Sequence, residues 1–279
     1  MHQVVQDSLN VVGLMLPGAP FIVAGHNQNI AWGLTNTYTD NVDFYQEKIN
    51  ETDSNLYLLN DQWLPLAYEK TTIYIKGGDS VRATNKFTHR GRVINQFKKL
   101  KGNTIITMHW CGDEYSNEYR GVMKINEAKN LNEFKEGLAE FKAISQNFAY
   151  ADVNGNIALV AASGVPVRKR DISFGLLPGW TNQYDWQHYL PFEKLPNMAN
   201  PDKQYVSSAN NRTADSTYPY HIGSWYALPY RFNRINQLIE ETNMHTVESF
   251  KAMQTDSKSL MASEFQTLII NELKKPKRV

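Results

Sequence analysis

Apolar positions in the first third of the chain come in short runs separated by turn-forming residues, a pattern that predicts strands rather than helices. Phe21 to Ala24 reads as an apolar strand and Ile30 to Trp32 as a returning one. Between them lie Gly25, His26, Asn27, Gln28 and Asn29. Gly and Asn tolerate positive φ, so a tight hairpin follows from local chemistry. Pro17, Gly18 and Pro20 predict a turn leading into the Phe21 strand. Further strands are predicted over Asp43 to Ile49, over Thr71 to Lys76 (closed by Gly77-Gly78-Asp79), within Lys86 to Phe97, and over Thr104 to Trp110. The strongest hairpin signal is Gln146 to Ala162, where NFAYADV and NIALVAA flank Asn154-Gly155. Asp152, beside that turn, reads as a turn carboxylate.

The period changes to a helical one in two places. Leu131, Phe134, Leu138 and Phe141 fall on one face of a helix predicted over Asn130 to Ile144, with Asn130 as cap and Glu133 three residues on. The last fifty residues hold three helical segments. One opens at Arg231, with Ile235, Leu238 and Ile239 on one side, and the others span Val247 to Met253 and Leu260 to Leu273. Met261, Phe265, Leu268 and Ile269 form a stripe along the last of these. Gly164 to Asn200 is rich in loops, and Tyr205 to Ala209 predicts a strand ending at Asn210. Hairpins first and helices later place the chain in the α+β class.

Composition narrows this picture. The 279 residues are 42% hydrophobic, ample for a sizeable core, and are read as one domain. A net charge of +1 gives no reason to invoke nucleic acid or an anionic membrane. The single cysteine, Cys111, excludes an internal disulfide and a multi-cysteine zinc site. No apolar run reaches membrane-spanning length, and MHQVVQDSLN lacks the regions of a signal peptide. Residues 274–279 read as a disordered basic tail.

The candidate chemistry is sparse. The seven histidines show no metal-ligand spacing, and there is no GxSxG elbow, Walker loop, GxGxxG or HExxH. Asp40 and Asp43 sit three positions apart on a short loop, where two carboxylates and the Val42 carbonyl could share Ca²⁺. On spacing alone, a solvated loop with two capping aspartates is the better reading.

A longer pattern adds to this. GHNQNIAWG, then Thr35, then DNVDFY resembles the penicillin acylase family of N-terminal-nucleophile hydrolases, specifically part of its β-subunit. YADVNGNI and the succession Pro-Gly-Trp, Asp-Trp, Leu-Pro-Phe and Asn-Pro extend the resemblance. It implies an incomplete four-layer αββα sandwich. It also implies that the Asn36 backbone N–H and the Asn210 side-chain amide form an oxyanion hole, that Arg231 orients Asn210 (with Arg234, one turn on, as a competitor for that role), and that Asp40, Val42 and Asp43 hold a structural Ca²⁺. The reaction it implies is hydrolysis of an N-acyl amide (a penicillin, an acyl-homoserine lactone or a relative) through an acyl-enzyme.

The family's nucleophile, a freed N-terminal serine, has no counterpart in the Met1 segment. The expectation is therefore a fragment inactive by itself, whose partners are an α-subunit, the remainder of the β-subunit and a small acyl-amide substrate. The family's location implies the periplasm or the cell exterior. An open sheet edge would invite a homodimer. The alternatives are a non-catalytic module that binds acyl ligands or a partner and, less specifically, a β-rich carbohydrate-binding domain suggested by Trp and Tyr content.

Overall fold

The computed structural model describes residues 1–95, 105–170 and 174–274. In chain order the strands are β1 (His2–Val5), β2 (Leu9–Leu14), β3 (Ala24–His26), β4 (Ile30–Asn36), β5 (Val42–Glu47), β6 (Leu56–Leu59), β7 (Gln62–Pro65), β8 (Ala67–Tyr74), β9 (Ser80–Thr88), β10 (Gly91–Val93), β11 (Ile105–Trp110), β12 (Gln146–Asp152), β13 (Ile157–Ala162), β14 (Pro166–Arg168), β15 (Leu176–Pro178), β16 (Trp186–Tyr189) and β17 (Asn197–Ala199). Helices α1 (Glu118–Glu127) and α2 (Leu131–Leu138) interrupt them, and α3 (Tyr230–Glu240), α4 (Val247–Gln254) and α5 (Leu260–Leu273) follow.

The arrangement is mixed α+β with several sheets. A seven-stranded sheet runs β1-β2-β3-β4-β12-β13-β17 and a six-stranded sheet runs β15-β5-β11-β10-β9-β8. The main core lies between the first sheet and the α1–α2 pair. There Trp32, Phe148 and Tyr150 from the strands meet Ile125, Phe134 and Leu138 from the helices, all nearly or wholly buried. The two helices cross closely because both present glycine: a Cβ on Gly121 would lie 2.7 Å from the Gly137 carbonyl oxygen.

Local chemistry explains the central hairpins. Asp152 Oδ1 accepts from Asn154 N and Asn156 N, both at 2.9 Å, and Gly155 takes φ +86°. At the first hairpin, Asn27 Oδ1 accepts from Asn29 N and Ile30 N, while its Nδ2 donates to the carbonyls of Asn126 and Ala128. One side chain thus closes the turn and ties it to the end of α1.

Three sequence expectations change. The Phe21 segment joins the ladder only from Ala24, so the first hairpin is shorter on that side. The helix predicted to Ile144 stops at Leu138, because Lys142 N and Ala143 N donate to Glu118 Oε1 instead of to carbonyls one turn back. Tyr205 to Ala209 is not a strand. Its polar groups are taken by side chains instead: Ser207 Oγ donates to Asn236, Ser208 pairs with Thr35, and Ala209 N donates to Asn211. Residues 275–279 of the basic tail, and 96, 97 and 104 of two predicted strands, lie outside the described residues.

Candidate active site

Asn36 ends β4 opposite Gln146, the first residue of β12. The next residue, Thr37, donates its N–H to Ser145 O. In an antiparallel ladder a residue points its N–H and C=O to the same side, and that side alternates along the strand. Asn36 therefore directs both groups away from β12. On that side β3 covers β4 only at Ala31 and Trp32, so no strand pairs with Asn36 there. The space is met instead by Asn210, whose Nδ2 donates to Asn36 O at 3.0 Å.

Asn210 is held from the other end. Arg231 Nη2, in the first turn of α3, donates to Asn210 Oδ1 at 2.9 Å and to Ala209 O at 2.8 Å. Guanidinium is a donor only, so the amide must turn its oxygen to Arg231 and its NH₂ to Asn36. The Asn210 backbone sits at φ +61°, a left-handed conformation that Asn tolerates better than most residues. Its carbonyl accepts from Ala227 N at 2.9 Å. The structure thus brings together Asn36, Asn210 and Arg231. An amide donor and an N–H facing one space form the donor set that stabilises a developing oxyanion.

Beside this point lies a cavity of about 210 Å³, lined by apolar side chains including Phe21, Leu34, Val122, Ile125, Phe141 and Phe148. Strand β4 contributes Leu34, two residues before Asn36, and α1 supplies the opposite wall. Sequence reasoning missed this cavity because its walls come from segments far apart in the chain and α1 was not predicted. It also missed Gln146, which lines the cavity and donates its Nε2 to Asn36 Oδ1 at 2.8 Å.

Asp40, Val42 and Asp43 are near one another, but their arrangement does not fit Ca²⁺. Asp43 is 1% exposed, and its carboxylate accepts Arg168 Nε at 2.7 Å, Arg168 Nη2 at 3.1 Å and Trp186 Nε1 at 2.6 Å. Arg168 Nη2 also donates to Asp40 O at 2.8 Å. Asp40 Oδ2 meets His221 Nε2 at 2.6 Å and accepts the Ser224 hydroxyl at 2.9 Å. A divalent cation would share Asp43 with a buried guanidinium, and like charges repel strongly at that distance. Val42 begins β5 opposite Trp110, and because Cys111 N donates to Asn41 O, the Val42 carbonyl faces away from β11. The signal missed here was Arg168, hidden in a stretch that reads only as loop. Among the described residues no group of three or more His, Cys, Asp or Glu could hold a metal.

Cys111 is fully buried and burial pushes its thiol up to about 12, so it is protonated and inert. The hydroxyls of Thr35 and Ser208, adjacent in sequence to Asn36 and Asn210, bond to each other at 2.6 Å, with no base among their partners.

The family model described as Penicillin amidase matches residues 1–278. The chain is similar to the acyl-homoserine lactone acylase QuiP of Pseudomonas aeruginosa, 28% identical over 281 residues, covering 96% of this chain and 33% of that protein. It is 30% identical over 200 residues to penicillin G acylase of Escherichia coli, covering 72% of this chain and 23% of that protein. A thermostable penicillin G acylase from Alcaligenes faecalis superposes with a TM-score of 0.76 at 26% identity, covering 90% of this chain and 45% of that one. The chain spans about a quarter to a third of the length of the curated relatives it matches.

Proposed function

The chain belongs to the penicillin amidase family, and from that premise we propose that it forms the oxyanion-stabilising and acyl-binding part of an enzyme that hydrolyses N-acyl amides through an acyl-enzyme. The observation that carries this reading is the meeting of Asn210 Nδ2 with Asn36 beside an apolar cavity. A substrate acyl group fills the cavity, which places its carbonyl oxygen between the Asn36 N–H and the Asn210 amide. Both donors strengthen their hydrogen bonds as that oxygen gains charge, and removal of one such donor typically costs about 3 kcal/mol of barrier lowering. Arg231 does no chemistry itself; it fixes which end of the Asn210 amide faces the substrate.

The cavity sets the acyl class. A cavity of about 150 Å³ takes a benzene molecule, so about 210 Å³ suits a phenylacetyl or a medium-length aliphatic acyl group. Relatives bear names for acyl-homoserine lactones and for penicillin G, and the proposed substrates are amides of that kind. The attacking group is proposed to come from a serine-initiated segment outside residues 1–279, with α-subunit-like and further β-subunit-like portions as partners. The periplasm or cell exterior is the proposed location. Among the described residues no helix is long and apolar enough to cross a membrane.

The test uses the purified chain with N-phenylacetyl and N-octanoyl p-nitroanilides. The expected result is saturable binding without release of p-nitroaniline. Turnover would overturn the placement of the attacking group outside these residues, and absence of binding would overturn the acyl site.

A further inference from the structure

The strip that carries Asn210 is not held by a ladder. Among the described residues, the main chain of Tyr205, Val206, Ser207 and Ser208 makes no hydrogen bond to other main chain. Side chains hold the strip instead, on two fronts. Towards α3, the Tyr205 hydroxyl donates to Glu240, Ser207 Oγ donates to Asn236 Oδ1 at 2.6 Å, and Arg231 Nη2 donates to Ala209 O and Asn210 Oδ1. Towards β4 there are two contacts. One is Asn210 Nδ2 to Asn36 O at 3.0 Å, and the other is a hydrogen bond at 2.6 Å shared by the hydroxyls of Ser208 and Thr35. The first uses the very amide that would serve the substrate. The second is therefore the only hydrogen bond from residues 205–210 to β4, among the described residues, that does not involve the reacting donor.

Thr35 directly precedes Asn36 on β4, and Ser208 lies two residues before Asn210. Thr35 is itself paired with Asn147 of β12, so Ser208 is tied to the middle of the seven-stranded sheet. We propose that Thr35 and Ser208 are positioning residues for the hydrolysis: their hydroxyl clasp sets the spacing between the Asn36 N–H and the Asn210 amide. Each acts through its neighbour rather than on the substrate. Donors stabilise a developing oxyanion best when they need no reorganisation as the charge appears. A strip tied to α3 without the clasp can shift against β4, and the two donors must then be brought into register as the oxygen gains charge. The loss falls on a charged oxygen. A neutral acyl amide, held mainly by apolar contact in the cavity, is little affected. The inference rests on the acyl-site reading above.

The experiment measures binding of phenylacetate and of phenylacetamide to the purified chain by calorimetry at pH 7. The two probes share one acyl group, and only the first presents a charged oxygen to the donors. Thr35→Val keeps the branched shape of the side chain and removes the hydroxyl. It is expected to weaken phenylacetate about tenfold, the size of one net hydrogen bond, and to leave phenylacetamide within about twofold. Ser208→Ala should do the same, and the double variant should be no weaker than either single one, because both remove one interaction. Thr35→Ser, which keeps the hydroxyl, should retain the wild-type ratio. Equal weakening of both probes, no weakening of phenylacetate, or losses that add in the double variant would overturn the clasp and leave the acyl site standing. Wild-type binding of phenylacetamide without phenylacetate would overturn it too. If neither probe binds the wild type, the acyl-site reading fails and the inference with it.

Discussion

Asn210 and Asn36 lie 174 positions apart in the chain, yet the side-chain amide of one donates to the main-chain carbonyl of the other at 3.0 Å. The contact joins the end of β4, the middle strand of the seven-stranded sheet, to the segment that precedes α3. It fixes a donor over the stretch of β4 that β3 leaves uncovered.

The two residues that shape this contact should be separable by kinetics. In the enzyme that carries these residues, Asn210→Ala is expected to lower kcat by about 10²–10³ with little change in KM, the signature of a donor used in the transition state. Arg231→Ala should have a smaller effect on kcat, because Asn210 keeps its amide and loses only its orientation. Steady-state kinetics on a chromogenic acyl amide decides both. An Arg231→Ala defect larger than that of Asn210→Ala would reverse the assigned roles.

The buried pair Asp43–Arg168 should behave as a structural tie independent of metal. Arg168→Ala strands a carboxylate that is fully out of solvent and is expected to destabilise the fold by about 3–5 kcal/mol. Chelation with EDTA should leave the melting temperature of the wild type unchanged. Thermal unfolding monitored by circular dichroism reads both, and a drop on chelation would restore a cation to this loop.

Glu118 should give the fold an acid-sensitive component. Burial alone would raise its pKa, but the Lys142 and Ala143 backbone N–H groups and the Ser116 hydroxyl more than offset that and hold it below the ordinary carboxylate value of 4.5. A carboxyl depressed in the folded state binds protons more readily when unfolded, so its contribution is present above the unfolded value. It is lost as pH falls through the lower folded value. The stability gap between wild type and Glu118→Gln should be full at neutral pH and close below about pH 4.5. Urea unfolding across pH 3 to 7 tests this, and a gap that widens on acidification contradicts it.

Cys111 should resist modification while the fold is intact. Its sulfur is fully enclosed and donates to Lys142 O at 3.4 Å, with the thiol pushed up to about 12. Iodoacetamide at pH 8 is expected to label the chain by mass spectrometry only in denaturant. Stoichiometric labelling of the native chain would show an open path to that sulfur.

What could be read from the sequence was what local chemistry decides. Asn154-Gly155 placed the central hairpin, Asn130 capped α2, and the stripe through Met261 and Phe265 marked α5 from Leu260 to Leu273. The resemblance pointed to Asn36, Asn210 and Arg231, and the fold brings those three into contact. Illegible were the features made by distant partners. Nothing near Asp43 in sequence announces Arg168, which lies 125 positions away and neutralises it. The end of α2 is set by Glu118 rather than by any stop signal of its own. Tyr205 to Ala209 alternates like a strand but satisfies its groups through hydroxyls and carboxamides instead of a ladder.

The helix α1 stands across the cavity from the strand that ends in Asn36, and it contributes Val122 and Ile125 but none of the polar trio. On the proposed reading, single changes along that helical face alter the length or bulk of the group accepted, whereas a change at Leu34 of β4 sits two residues from Asn36 and touches both acyl recognition and handling of the carbonyl.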